Sequence, residues 1–156
     1  MILHFAYGSN MSRGVMRRHA SQARPVGVAA LAGHHFVITA DGYASVKAKR
    51  ANTVYGVLWR LTPRDRATLD AWENTAGGLY RAKLLPVRLA GRRCMALTYV
   101  ARPRRSGPAK AGYMELVIEA ALEWHLPQAY IRSLRRWLPR RQGGAGPSEL
   151  GEFGWT

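Results

Sequence analysis

The 156-residue chain carries 24 Lys+Arg against 9 Asp+Glu, a formal net charge of +15, and a single cysteine. That length corresponds to one domain of about 100–200 residues with a core large enough to fold without staples, and Cys94 alone excludes an intrachain disulfide framework. A hydrophobic content of 47% excludes disorder of the apolar-poor kind. No apolar run approaches the roughly 18 residues of a membrane span, and MILHFAYGSNMSR lacks the charge and cleavage pattern of a signal peptide. The expectation is therefore a cytoplasmic protein without membrane partners.

In chain order, the apolar run 2–6 ends at Tyr7-Gly8-Ser9-Asn10, a cluster of turn formers, and reads as a strand entering a loop. Met11, Val15 and Met16 then recur at helical spacing, predicting a short helix capped by Asn10 or Ser12. The stretch 24–51, interrupted at Gly33 and Asp41-Gly42, predicts two or three short strands, and the β-branched and aromatic run 53–61 a buried strand. Thr62-Pro63-Arg64-Asp65 supplies an N-cap, a proline at the first helical position and an acid at the third, so a helix runs from Pro63 to about Glu73. Residues 84–89 and 93–101 read as a strand pair turned at Ala90-Gly91-Arg92, followed by a basic Pro/Gly-rich loop over 102–112. Tyr113, Leu116, Val117, Ala120, Ala121 and Trp124 predict an amphipathic helix with Glu115, Glu119 and Glu123 on its other face, and a second helix begins at Gln128 and ends near Trp137. This order predicts an α+β domain over 1–138, a curled mixed β-sheet or small β-barrel with flanking helices, and a Gly/Pro-rich tail over 139–156.

Acids are scarce, so each one has to be accounted for. Asp65 serves a helix start, Asp41 a turn, and Asp70 and Glu73 lie three apart on one helix face. Glu73 sits at the negative end of the helix dipole, beside Asp70 and before a flexible loop over 74–78. Each feature disfavours ionisation and makes Glu73 a candidate general base; the competing reading is a solvated, frayed helix end paired with Arg81 or Lys83. A strand–turn–helix start at Tyr7-Gly8-Ser9-Asn10 exposes backbone N–H groups suited to a carboxylate or phosphate, and is equally ordinary turn chemistry. The five histidines, His34-His35 included, lack metal-ligand spacing, so no metal site is expected, and Cys94 reads as a small core residue. The basic end of the last helix, with Arg132, Arg135 and Arg136 between Ile131, Leu134 and Trp137, reads as a solvated face over an apolar stripe.

Phe5-Ala6-Tyr7-Gly8-Ser9-Asn10-Met11, Tyr55-Gly56-Val57-Leu58-Trp59, Leu69-Asp70-x-x-Glu73 with Gly78-Leu79-Tyr80, and Tyr113 with Leu126-Pro127 and Tyr130 together resemble the γ-glutamylcyclotransferase (AIG2-like) family, in order from about residue 3 to 135. The resemblance implies a mixed barrel with flanking helices and no metal or organic cofactor. It assigns Glu73 as the acid/base, Tyr7, Gly8, Ser9 and Asn10 as the loop that holds the γ-glutamyl group through backbone amides, and Tyr80 and Tyr113 as pocket residues. The implied reaction closes the α-amine of a γ-glutamyl substrate onto its own γ-carbonyl, releasing 5-oxoproline and an amine or amino acid. Asn74 stands where glycine is frequent in that pattern. The charge supports a second expectation, a catalytically inactive fold that binds nucleic acid or other anions; Glu73, the loop and both tyrosines weigh against it. Neither the leaving amine nor the oligomeric state follows from the sequence.

Overall fold

A computed structural model describes residues 1–139; the tail over 140–156 lies outside the described residues. Five strands, β1 (Ile2–Ala6), β2 (Arg24–Ile38), β3 (Ala44–Leu61), β4 (Tyr80–Leu89) and β5 (Arg92–Ala101), close into a barrel in the order β1-β3-β2-β4-β5. All pairings are antiparallel except β1 with β5, a parallel contact at His4–Leu97 that makes the barrel mixed. Four helices flank it: α1 (Arg13–His19), α2 (Pro63–Trp72), α3 (Tyr113–Glu123) and α4 (Gln128–Arg135).

Local chemistry explains several elements. Ser12, not Asn10, caps α1, its hydroxyl accepting from the Val15 amide, while Ser9–Met11 form a separate 3-10 turn. Thr62 and Asp65 form a reciprocal capping box at α2, and the buried Asp65 carboxylate also accepts from the Gln22 amide at 3.2 Å. On α3 the buried residues include Tyr113, Met114, Val117, Ile118 and Ala121, whereas Glu115, Glu119 and Glu123 are exposed, and Glu123 pairs with Arg13 at 3.0 Å. α4 buries Tyr130, Ile131 and Leu134 and leaves Arg132 and Arg135 in solvent, as a solvated basic face requires.

The region 24–51 differs from expectation. It holds one continuous strand and the first part of another, rather than two or three short ones, because only Asp41-Gly42 turns the chain. Gly33, at φ +74°, takes up a register shift between Ala32 and His34 and lets β2 continue to Ile38. β4 starts at Tyr80, earlier than expected, and turns into β5 through Ala90 and Gly91, both at positive φ, a two-residue hairpin turn. Cys94 is half-buried against the core rather than inside it.

Where β1 ends alongside β3, its antiparallel neighbour, the backbones come close. A Cβ built on Gly56 would lie 2.3 Å from the Ala6 carbonyl oxygen, so only glycine fits there. That close approach delivers the end of β1, and the loop after it, over the barrel mouth where α2 ends.

Candidate active site

The loop leaving β1 and the residue closing α2 face each other across a pocket lined by Tyr7, Gly8, Ser9, Asn10, Glu73, Tyr80 and Tyr113, all seven of the candidates from the sequence. His4, Tyr43, Ala44, Trp72, Leu79 and Tyr99 complete most of the remaining wall. Its free volume is about 60 Å³.

Glu73 is the C-cap of α2, its amide donating to the Leu69 carbonyl at 2.8 Å. The residue as a whole is partly buried, and burial of the carboxyl pushes its pKa up to about 7. Burial is the cause, with no contribution from the Asp70 charge. Asp70 is turned to other partners, accepting from the Tyr99 hydroxyl at 2.7 Å and lying 3.7 Å from the Arg66 guanidinium. Among the described residues Glu73 has no ion-pair partner, so Arg81 and Lys83 do not neutralise it. Its contact is with Asn10, whose Nδ2 donates to Oε1 at 3.4 Å.

The segment 74–78 is tied down rather than loose. Thr75 donates through both its amide and hydroxyl to the Asp70 carbonyl at 3.1 Å, and Asn74 Oδ1 accepts from the Gly77 amide at 3.2 Å. Asn74 adopts φ +52°, which explains the departure from glycine: asparagine is among the few side chains that tolerate the left-handed region.

The two pocket tyrosines grip one residue. Tyr80 Oη donates to the Ala44 carbonyl at 2.8 Å, and Tyr113 Oη accepts from the Ala44 amide at 3.3 Å, with Ser9 also bonding to it through backbone and side chain. Burial pushes the Tyr113 hydroxyl up to about 12, and burial together with the charge of Tyr113 and Glu73 raises Tyr80 further, so both remain neutral near pH 7. Gly8 lies directly beneath this grip, since a Cβ there would stand 2.8 Å from Tyr113 Oη. Tyr7 anchors the loop from below by donating to the Tyr99 carbonyl.

Sequence reasoning missed His4 and Tyr99. His4 is fully buried, bonds the Leu97 carbonyl through Nδ1 at 2.9 Å, and has its pKa lowered to about 4 by burial, so it is a neutral imidazole. The alternation of β1 would have pointed His4 and Ala6 to one face, but its neighbour Tyr99 comes from a strand 95 positions away. Among the described residues no group of three or more His, Cys, Asp or Glu is placed to hold a metal ion, and no helix is long and apolar enough to cross a membrane.

Comparison with known proteins decides the family. The AIG2-like family model matches residues 53–134, a span that contains Gly56, Glu73, Tyr80 and Tyr113. The chain belongs to the AIG2-like family. It is similar to a γ-glutamylcyclotransferase of Mus musculus, 26% identical over 110 residues that make up 70% of this chain and 58% of that protein. The chain thus spans less than two thirds of that relative's length. A solved structure named gamma-glutamyl cyclotransferase superposes with a TM-score of 0.84 at 22% identity, covering 92% of each chain, a likeness of fold. YkqA from Bacillus subtilis is 27% identical with a TM-score of 0.77, over 86% of this chain and 53% of its own. The AIG2-like barrel is therefore the scaffold on which the Glu73 pocket is built.

Proposed function

We propose that this AIG2-like protein is a γ-glutamylcyclotransferase-type enzyme that converts a γ-glutamyl amine into 5-oxoproline and the free amine. The observation that carries this reading is the Glu73 carboxyl, held in a narrow pocket opposite the 7–10 loop with its pKa raised to about 7.

Ring closure needs one group that removes a proton and later returns it. The Glu73 carboxylate takes a proton from the substrate's α-ammonium; the freed amine attacks the γ-carbonyl carbon, forming the lactam C–N bond. The tetrahedral centre then collapses, the bond to the leaving nitrogen breaks, the Glu73 carboxyl gives that nitrogen its proton, and the ring nitrogen loses its second proton through the freed carboxylate to the departing amine, which leaves as an ammonium. A pKa near the working pH suits both halves of this exchange. Backbone amides of the Tyr7–Asn10 loop would hold the glutamyl carboxylate and the developing oxyanion. The neutral Tyr80 and Tyr113 would hold the arm folded for attack, which removes much of the entropic barrier. The glutamyl arm would occupy this pocket, leaving the departing group at the mouth.

The rim favours an anionic leaving group. Lys110 Nζ sits 5.1 Å from the centre of the Tyr43 ring, and Tyr43 meets Tyr113 edge-on at 5.5 Å. The guanidinium of Arg102 lies against Gly78, while that of Arg104 is paired with Asp41. A carboxylate on the departing amine, as in a γ-glutamyl amino acid, would meet Lys110. The test is 5-oxoproline release from a panel of γ-glutamyl amino acids, γ-glutamyl polyamines and γ-glutamyl aminoglycosides, with the Glu73→Gln protein as control. No release from any member overturns the reading.

A further inference from the structure

The barrel has a second concavity that the reaction above leaves unused. β2 pairs with β4 only at Ala30–Arg88, so the outer part of the β2–β3 hairpin diverges from the β4–β5 pair and opens a cleft of about 420 Å³. This is several times the free volume at Glu73. The cleft is a built feature. The Ala101 amide donates to Ser45 Oγ at 3.0 Å at its base, and the 102–106 segment closes one side. That segment is pinned by the Thr39–Ser106 bridge, by the Gly107 amide on the Ile38 carbonyl at 3.1 Å, and by Lys47 Nζ on the Arg104 carbonyl at 3.1 Å.

Its walls carry Lys47, Arg81, Lys83, Arg102 and Arg104, with the Ser106 hydroxyl among them. Arg81 and Lys83 are two apart on β4 and so share a face. One acid, Asp41, is paired with Arg104; among the described residues Arg81, Lys83 and Arg102 have no acidic partner. The five cations are solvent-exposed and converge on one concavity, so their fields add there and an anion bound between them relieves their mutual repulsion. The floor, with Val46 and Val100, offers apolar contact beneath the ring of cations.

We propose that this cleft is a second ligand site, which takes a small phosphate-bearing anion, either an inorganic polyphosphate or the phosphate arm of a nucleotide. Multiple phosphate oxygens satisfy several guanidinium and ammonium donors at once, which a single carboxylate does not. A cleft bounded on one side by the 102–106 segment favours a small molecule over a nucleic-acid strand, which would instead follow a continuous basic surface.

The experiment is calorimetric titration of the full chain with inorganic tripolyphosphate, ATP and a single-stranded oligonucleotide, at low and at physiological salt. The variants are Arg81→Glu/Lys83→Glu, the milder Lys83→Ala, and Arg92→Glu/Arg93→Glu, which changes net charge by the same amount at the far end of the β4–β5 hairpin. The expected result is saturable binding of tripolyphosphate at one site per chain, weakened about tenfold or more by the cleft reversal, weakened measurably by Lys83→Ala, and changed less than about twofold by the hairpin-end reversal. Tighter binding of ATP than of tripolyphosphate would identify a nucleotide resting on the floor, and equal binding an inorganic polyphosphate. Equal losses in both reversals, absence of saturable binding, or oligonucleotide binding that tripolyphosphate does not displace would overturn the proposal. The readout is binding, so it stands or falls independently of 5-oxoproline release.

Discussion

Asn10 and Glu73 are 63 positions apart in sequence, and the Asn10 side-chain amide reaches the Glu73 carboxyl at 3.4 Å. The contact joins the loop after β1 to the end of α2, the two pieces from which the proposed reaction is assembled. Asn10 is itself buried, so it presents a donor to Glu73 without admitting bulk water.

The first prediction concerns that carboxyl. Glu73→Gln keeps the shape and the Asn10 contact but neither accepts nor returns a proton. Turnover should fall by about two to four orders of magnitude, with the circular dichroism spectrum unchanged. Full turnover in a folded Gln variant would remove Glu73 from the mechanism.

The same group makes stability depend on pH. Burial raises the Glu73 pKa from 4.5 to about 7, so the folded chain holds a proton that the unfolded chain has already released between those values. The favourable contribution is complete below about 4.5 and is lost as pH rises through about 7, on the order of 3 kcal/mol in total. Urea titrations of wild type and Glu73→Gln should therefore agree near pH 4 and diverge by pH 8, with the Gln variant the more stable. Parallel curves across that range would mean a solvated Glu73. Turnover should carry an apparent pKa near 7 from the same group.

Gly8 and Ser9 separate backbone from side-chain recognition. A valine at Gly8 forces its Cβ to 2.8 Å from Tyr113 Oη and breaks the Tyr113–Ala44 grip, so substrate and 5-oxoproline binding should be lost. Ser9→Ala keeps its amide and removes only the hydroxyl, so affinity should fall by less than about tenfold. Comparable losses in the two variants would point to recognition by the serine side chain.

Gly56 tests the close pairing of β1 with β3. In Gly56→Ala the methyl would stand 2.3 Å from the Ala6 carbonyl oxygen, a backbone atom that moves only with the strand. A loss of about 2 kcal/mol or more in denaturant unfolding is expected. A loss of less than about 0.5 kcal/mol would show that the strands separate easily.

For the leaving group, Lys110→Glu reverses the charge beside the Tyr43 ring of the pocket wall. KM for a γ-glutamyl amino acid should rise several-fold with kcat little changed, and the difference should shrink as salt increases. Faster turnover of γ-glutamyl aminoglycosides than of any γ-glutamyl amino acid by the wild type would reverse the assigned preference.

Sequence alone determined what short-range chemistry controls. The Thr62–Asp65 capping box, the turn at Asp41-Gly42, the buried face of α3 and the strand–loop start at Tyr7 are each set by residues a few positions apart, and each is found where their spacing places it. The motif residues likewise named seven residues that line one pocket, Gly8 among them because its close approach to Tyr113 leaves a readable residue type. Tertiary structure alone decided the rest. β2 runs through Gly33 because pairing with β3 holds the chain on both sides of a bulge, a non-local stabilisation that local propensity does not contain. Glu73 owes its raised pKa to burial beneath a loop 63 positions away rather than to the Asp70 charge, and His4 and Tyr99 meet only through barrel closure. The basic cleft exists because β2 and β4 part after a single pairing, and no pattern within either strand records that separation.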